Sequence, residues 1–186
     1  IVASLVGSEM CIRDSYGVNL KEPLLTQVDV VDNFLPPEVF LQVHKWFTHE
    51  LHWFYNPYVN KEGDHPDDYQ FQHVFLLPDR GVVSNYMSFL QPFMGRIPAS
   101  EWIRVKANLR PKCHEMRIGG FHIDYEDCIT SIFYFNDNDG QTTFESGGYV
   151  KSVANRLITF PSNLRHSGST CTCLLYTSPS PRDWLQ

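Results

Sequence analysis

The sequence predicts a mainly β fold, a sandwich or barrel, in which helices precede the barrel strands along the chain. From Trp102 to Arg110, apolar and polar residues alternate with the period of a half-buried strand. Short strand-like runs separated by Gly, Asn, Asp and Pro turns then continue as far as Pro161. Before residue 102, two segments have the hydrophobic spacing of helices, so the predicted class is α+β.

The N-terminal part of the chain predicts two strands and two helices. "TQVDVVDNFL" (26–35) is β-branched enough for a strand, and the prolines after it are compatible with the first turn of a helix that extends to about Glu50. "YQFQHVFLL" predicts a strand and "SNYMSFLQPFM" a helix that Ser84 is able to cap. The aromatic stretch "HWFYNPYV" (52–59) fits either a substrate-facing lid or the core, and we favour the core.

The C-terminal part predicts a series of short strands. These are "WIRVKANLR", "GGFHID", "ITSIFYF", "QTTFES", "YVKSV" and "RLITFP". Several short strands at such spacing are typical of a β-sandwich or barrel.

Composition restricts the partners. The 186 residues are 42% hydrophobic, enough for one domain with a core, and the net charge of −6 comes without a basic cluster, so nucleic acid is disfavoured. Five cysteines without metal-finger spacing argue against a disulfide framework. No apolar run has the length of a membrane span. We therefore expect a cytoplasmic protein without a membrane partner; no oligomeric state is predicted.

Both ends of the chain look foreign to the rest. "LVGSEMCIRDS" (Leu5 to Ser15) and "CLLYTSPSPR" (Cys173 to Arg182) can be encoded by complementary DNA over about thirty nucleotides, a relation without a folding rationale. That DNA resembles a transposon-end adapter used for sequencing libraries. We therefore expect 1–15 and 173–186 to be non-native adapter-like segments, and 16–172 to form a single domain with its barrel core at about 102–172.

One motif carries the chemistry. In "GGFHIDYED", His122 and Asp124 are two residues apart, so on an extended segment both side chains leave the same face. His166 in "NLRHSGST" follows a predicted strand and could add a third ligand. Two imidazoles and one carboxylate on one face of an ion form the facial triad of non-haem Fe(II) oxygenases. A second HxD, at His65 and Asp67, has proline between its partners and no flanking strands, so we interpret it as a solvated turn.

From Arg104 to Thr172 the sequence resembles the 2-oxoglutarate and Fe(II)-dependent oxygenase superfamily, in particular its prolyl-4-hydroxylase-like and its phage or marine bacterial branches. The resemblance rests on the ordered set HxD, "IFYFN", "DGQTTF", "NRLITFP" and "RHSGST", and "VVDNFLPPEVF" resembles the entry segment of these proteins. It implies a double-stranded β-helix, a jelly-roll barrel whose mouth holds iron. It also implies that His122, Asp124 and His166 are the metal ligands.

The resemblance further implies contacts to the cosubstrate. Tyr134 of "IFYFN" matches the tyrosine whose hydroxyl binds the distal carboxylate of 2-oxoglutarate; a core aromatic is the alternative. Asn108, on the polar face of the first barrel strand, could reach the cosubstrate or make a structural hydrogen bond. The family's arginine on the last strand would fall in "LLYTSP" (174–179), so it is not assigned, and we expect the barrel to lack its native last strand. Asn155 and Arg156 are interpreted as structural.

The function implied by this resemblance is that of an Fe(II)- and 2-oxoglutarate-dependent dioxygenase. Such an enzyme uses O2 to hydroxylate a C–H bond of a peptide or small-molecule substrate and releases succinate and CO2. Ascorbate is a possible further cofactor. Two alternatives stay open: a cupin-like metal-binding jelly roll without oxygenase activity, and a structural jelly roll without a metal. Without its last strand, the chain is expected to be unstable or inactive.

Overall fold

The structure is a computed structural model that describes residues 3–13, 28–59, 69–172 and 174–175, with side chains for 10–12, 28–59 and 69–172. The predicted turn with His65 and Asp67 lies outside the described residues. So does the C-terminal adapter-like segment, apart from the backbone of 174–175. The fold below is that of the described part of the chain.

The described residues form strands and short helices. The strands are β1 (Ala3–Arg13), β2 (Asp29–Val31), β3 (Phe54–Asn56), β4 (Gln70–Leu77), β5 (Gly81–Val82), β6 (Glu101–Pro111), β7 (Ile129–Tyr134), β8 (Asp137–Asn138), β9 (Gln141–Phe144), β10 (Tyr149–Lys151), β11 (Arg156–Pro161), β12 (His166–Gly168) and β13 (Leu174–Leu175). Helix α1 (Pro37–Lys45) continues as a π-helical turn, Trp46–Glu50, and helix α2 (Gln91–Met94) follows a 3-10 turn, Met87–Leu90.

The strands form two main sheets. The larger has the order β2-β11-β7-β1-β6-β4-β3, with β5 added to β4, and the smaller has the order β10-β9-β12. Strand β13 pairs with β8, and the pairings are antiparallel. A mainly antiparallel β structure with two short helices is compatible with a β-sandwich or jelly roll.

Most of the predicted elements are confirmed, with shorter bounds in three places. Of the strand predicted over 26–35, the described residues form only β2, because a turn at Asp32 and Asn33, the latter with a positive φ, follows it. The predicted second helix is confined to a 3-10 turn and α2, and Ser84 does not cap it. Its hydroxyl instead accepts from the Tyr86 amide and contacts His73 Nε2. "GGFHID" (119–124) is not a strand: within it only His122 forms an isolated β-bridge, and Ile118, just before it, forms another.

Strand β1 lies in the middle of the larger sheet, between β6 and β7. It pairs with β6 from Ala3 to Arg13 and with β7 from Ser8 to Ile12. Met10, Cys11 and Ile12 are buried. The sequence prediction did not include these residues in the fold. The expected adapter origin of these residues is a property of the coding DNA and not of the fold, so it stays a prediction.

Strand β7 separates two apolar clusters, because successive side chains of a strand point to opposite faces. Phe133 and Phe135 face the larger cluster, which includes Phe47 of the π-helical turn and Phe93 of α2. Ile132 and Tyr134 face the smaller cluster, which includes Phe144 of β9, Phe160 of β11 and Leu164. The smaller cluster therefore lies between the two sheets, where β12 brings His166.

The aromatic stretch 52–59 belongs to the core only in part, whereas we favoured the core for all of it from the sequence. Trp53 packs against the larger cluster as expected, but Phe54, Tyr55 and Tyr58 are 61%, 62% and 63% exposed. Among the described residues, strand β3 forms the edge of the larger sheet, so it has a paired strand on one side only. Among the described helices, none combines the length and the apolar character that crossing a membrane requires.

Candidate metal centre

His122 and His166 are brought together by their own backbones. Each amide donates to the carbonyl of the other at 3.0 Å, which makes the two residues an antiparallel bridge. Directly opposed residues in such a bridge present their side chains on the same face. The ring centroids are accordingly 4.6 Å apart. A bridge outside any long strand is thus enough to pair two histidines that are far apart in the sequence.

The hydrogen bonds of the two imidazoles favour one tautomer in both rings. Nδ1 of His166 lies 2.9 Å from the carbonyl of Leu164, and Nδ1 of His122 lies 3.3 Å from the carbonyl of Gly120. Because a carbonyl only accepts, the proton of each neutral ring is expected on Nδ1. The lone pair is then on Nε2, as required of a metal-binding imidazole whose other nitrogen is oriented by a backbone carbonyl.

Asp124 completes the group from the segment that follows His122. Its amide donates to the Ser162 carbonyl at 3.1 Å, which ties this segment to the end of β11. The side chain is 3% exposed, and its Oδ2 lies 3.7 Å from Nε2 of His166. The hydroxyl of Thr130 donates to the same oxygen at 2.7 Å. The carboxylate is therefore buried and oriented by a neighbour on β7.

The three predicted ligands converge. One ligand atom each from His122, Asp124 and His166 lies within 4.8 Å of the others, so the group could hold a metal ion. His166 is 2% exposed, and the ring of Phe160 lies 4.7 Å from it, edge on. Two neutral imidazoles and one carboxylate suit a divalent transition metal better than a hard cation such as Ca²⁺ or Mg²⁺, which prefers oxygen ligands.

Tyr134 and Asn108, the two predicted cosubstrate contacts, are both buried. The hydroxyl of Tyr134 lies 2.6 Å from Oγ1 of Thr142 on β9, at the far end of β7 from Thr130. Asn108 is 5% exposed on β6, on the strand face that also carries Arg104 and Arg110. Neither residue is one of the three candidate metal ligands. Asn108 lies farther along β6 than Arg104, and Tyr134 lies farther along β7 than Thr130.

Two contacts of Asp124 were not predicted. Nη2 of Arg104 lies 2.5 Å from its Oδ1, and the Arg104 guanidinium lies 5.1 Å from the ring centre of Tyr125. Thr130 supplies the other contact. The alternation of "WIRVKANLR" did place Arg104 on the polar face of β6, but only the pairing of β6, β1 and β7 through Cys11 brings Arg104 and Thr130 beside one carboxylate.

Asn155 and Arg156 join β11 to the segment before α1, as the structural interpretation expects. The Asn155 amide group bonds the backbone N–H and carbonyl of Leu35 at 2.9 and 2.7 Å. Arg156 forms a two-pronged ion pair with Asp32 at 2.6 and 2.9 Å. The hydrogen bond from Arg156 lowers the pKa of the Asp32 carboxyl, and that carboxylate raises the pKa of Arg156.

No protein-family model matches the chain, and no curated protein matches it. The assignment of a function therefore rests on the residues and geometry described above.

Proposed function

We propose that this chain is an Fe(II)- and 2-oxoglutarate-dependent dioxygenase that hydroxylates a C–H bond of a peptide or small-molecule substrate. The observation that carries the proposal is the convergence of His122, Asp124 and His166, with ligand atoms within 4.8 Å of one another. Two histidines and one carboxylate are the donor set of non-haem Fe(II) oxygenases. The fold that we propose for the domain is a double-stranded β-helix.

The protein's own residues prepare the site for a divalent ion. The carbonyls of Leu164 and Gly120 hold the imidazoles with Nε2 as the lone-pair nitrogen. Thr130 orients the Asp124 carboxylate, whose negative charge offsets part of the charge of the ion. Because the three donors come from one bridge and the segment that follows His122, they approach from one side, which leaves the other side for substrates.

When bound, Fe(II) with 2-oxoglutarate and O2 supplies the oxidation that converts 2-oxoglutarate to succinate and CO2 and adds a hydroxyl group to the substrate. Aromatic side chains border the His166 side of the site. Phe160 packs against His166, and Phe144 packs against Phe160 at 5.2 Å between ring centres. A site bordered by apolar rings strengthens the electrostatic interactions inside it.

The first test is Fe(II) binding by the purified chain, measured by anaerobic calorimetry. The second is Fe(II)-dependent release of succinate from 2-oxoglutarate, which also tests the expectation that the chain is inactive without its last strand. His122→Ala is expected to abolish succinate release and to weaken Fe(II) binding at least a hundredfold, since metal affinity follows the ligand set. His114→Ala is the matched control, because His114 is exposed and outside the group. Metal binding without any affinity for 2-oxoglutarate would instead favour the cupin-like alternative, and no binding of Fe(II) would reject both.

A further inference from the structure

We propose that Ser84 and His73 form a nucleophile–base pair, at which the chain takes up the acyl group of a small ester and hydrolyses it. This second activity goes beyond the proposed dioxygenase function, because acyl transfer to a serine needs neither a metal nor an oxidant. His73 lies on β4, and Ser84 follows β5. The two side chains are in contact, and each is oriented by a backbone group.

The hairpin between β4 and β5 brings Ser84 beside His73. Gly81, at the start of β5, has a φ of 66°, a left-handed conformation that glycine adopts without strain. The Val83 amide then donates to the Phe75 carbonyl at 2.9 Å, so the chain runs back along β4. As a result Oγ of Ser84 lies 2.7 Å from Nε2 of His73.

The pair and the candidate metal centre lie on opposite faces of the larger sheet. His73 is paired with Ala107 of β6, and directly opposed residues present their side chains on the same face. Ala107 belongs to the larger apolar cluster. Arg104, which contacts Asp124, is three residues away on β6 and therefore points to the other face. The Ser84–His73 pair is thus a separate site.

The surroundings of His73 make its Nε2 the base. Nδ1 lies 2.6 Å from the His52 carbonyl, and because a carbonyl only accepts, the proton is on Nδ1 and the lone pair on Nε2. Burial lowers the pKa of His73, so the ring is neutral at pH 7. The rings of Phe75 and Tyr86 lie 4.6 and 5.5 Å from the imidazole, centre to centre, and fix its orientation.

Ser84 is placed to act as the nucleophile. Its hydroxyl has one proton to donate, and the lone pair of His73 accepts it. The Tyr86 amide donates to the same Oγ at 3.0 Å, which stabilises the negative charge that grows on the oxygen as the proton leaves. Among the described residues, Ser84 is half-buried between exposed Val83 and Asn85, which gives a small ester access to the hydroxyl.

The side chains around the pair indicate the class of ester. The ring of Phe54 lies 5.9 Å from that of His73 and is 61% exposed. Val83, next to Ser84, is 45% exposed. Both side chains are apolar and uncharged, so the site favours an apolar acyl group over a charged one.

Acyl transfer at this pair balances without a cofactor. Oγ of Ser84 attacks the carbonyl carbon of the ester, and its proton passes to Nε2 of His73. The bond to the leaving oxygen breaks, and that oxygen takes the proton from Nε2. Water then attacks the acyl group while Nε2 accepts its proton; the bond to Oγ breaks, the acid is released, and Oγ recovers a proton from Nε2.

The experiment treats the whole chain, with EDTA present, with an alkyl fluorophosphonate, a reagent for activated serines. The Oγ–P bond forms, the P–F bond breaks, and the serine proton leaves with fluoride by way of His73. We expect a single label, located on Ser84 by tandem mass spectrometry, and hydrolysis of 4-nitrophenyl butyrate that falls as labelling proceeds. Ser84→Ala should lose both. His73→Asn keeps a donor for the His52 carbonyl but no base, so it should slow both about a hundredfold.

Ser88→Ala is the matched control, because Ser88 is an exposed serine shortly after Ser84. It should change neither rate by more than about twofold. Urea unfolding shows which variants are folded; if His73→Asn is not, His73→Gln replaces it, and if neither is, the position of the label in the wild type decides. No label on the wild type, or a label elsewhere, overturns the proposal. Equal labelling of the wild type and a folded His73 variant overturns the role of His73 as base.

Discussion

Nη2 of Arg104 lies 2.5 Å from Oδ1 of Asp124, and Asp124 is one of the three residues that could hold a metal ion. The ion pair is largely buried, with the two side chains 20% and 3% exposed. A buried carboxylate without a cation is unfavourable, so Arg104 supplies the positive charge that a metal ion would otherwise provide. A guanidinium and a dication then compete for one carboxylate.

This competition predicts that removal of the Arg104 charge strengthens metal binding. Arg104→Gln keeps an amide donor near Oδ1 of Asp124 but removes the repulsion of the ion, so we expect divalent metal to bind about tenfold more tightly. Anaerobic calorimetry with Fe(II), or with Mn(II) in air, measures the constant. Arg80→Gln is the control, since Arg80 is 71% exposed and pairs locally with Asp79. Weaker binding in Arg104→Gln would mean that Arg104 orients Asp124 more than it competes with the ion.

The hydroxyl of Thr130 predicts a stability effect that is independent of the metal. Thr130 is fully buried, donates to Asp124 at 2.7 Å, and lies 2.9 Å from the Ser162 hydroxyl. Thr130→Val keeps the shape but leaves the Asp124 carboxylate without this donor and the Ser162 hydroxyl without this acceptor. The loss should cost about 1–3 kcal/mol in the free energy of unfolding in urea. Thr130→Ser, which keeps the hydroxyl, should lose much less. Equal losses in the two variants would assign the effect to packing.

Strand β1 predicts that the N-terminal segment contributes to the stability of the chain. It is the strand through which β6 and β7 are joined in the larger sheet, and Met10 is fully buried. Met10→Ala should lower the free energy of unfolding by about 2–5 kcal/mol, the usual range for a buried methionine. Leu41→Ala, at a side chain on α1 that is 56% exposed, should have little effect. If the two variants unfold alike, β1 does not contribute to the stable fold, whatever its origin.

His73 predicts a loss of stability in mild acid. It is buried, with Nδ1 2.6 Å from the His52 carbonyl and Nε2 2.7 Å from the Ser84 hydroxyl. Burial lowers its pKa, the bond to the His52 carbonyl opposes that shift, and the nearby His52 side chain adds to it. The unfolded chain therefore takes up the proton at a higher pH than the native chain does. The free energy of unfolding should fall as the pH drops below about 6.5.

Urea unfolding between about pH 5 and about pH 8 measures this slope. His73→Gln should reduce the slope without abolishing it, because burial also lowers the pKa of His44. His114→Gln, at an exposed histidine, should leave the slope unchanged. A slope that persists in full in His73→Gln would assign the pH dependence to other groups.

Local pattern was sufficient for most of the elements. The alternation around Val105 and the run "ITSIFYF" predicted β6 and β7, and the helical spacing after Pro37 predicted α1. These periodicities work because each strand or helix has one face toward an apolar cluster. Strand β1 was not predicted, because 1–15 was interpreted as an adapter-like segment outside the domain. Its pairing with β6 and β7, which lie far along the chain, is not evident from the residues of β1 alone.

At the candidate metal centre, too, the sequence predicts one part of the arrangement and the tertiary structure decides the rest. The sequence by itself determined the donor types and the shared face of His122 and Asp124, because a spacing of two residues on an extended chain has one geometric outcome. Only the tertiary structure decided that His166 faces His122 across a bridge, that Arg104 and Thr130 hold Asp124, and that Arg110 reaches Gly168. The physical reason is that these contacts depend on strand order and register, which the burial of both apolar clusters selects for the whole chain at once.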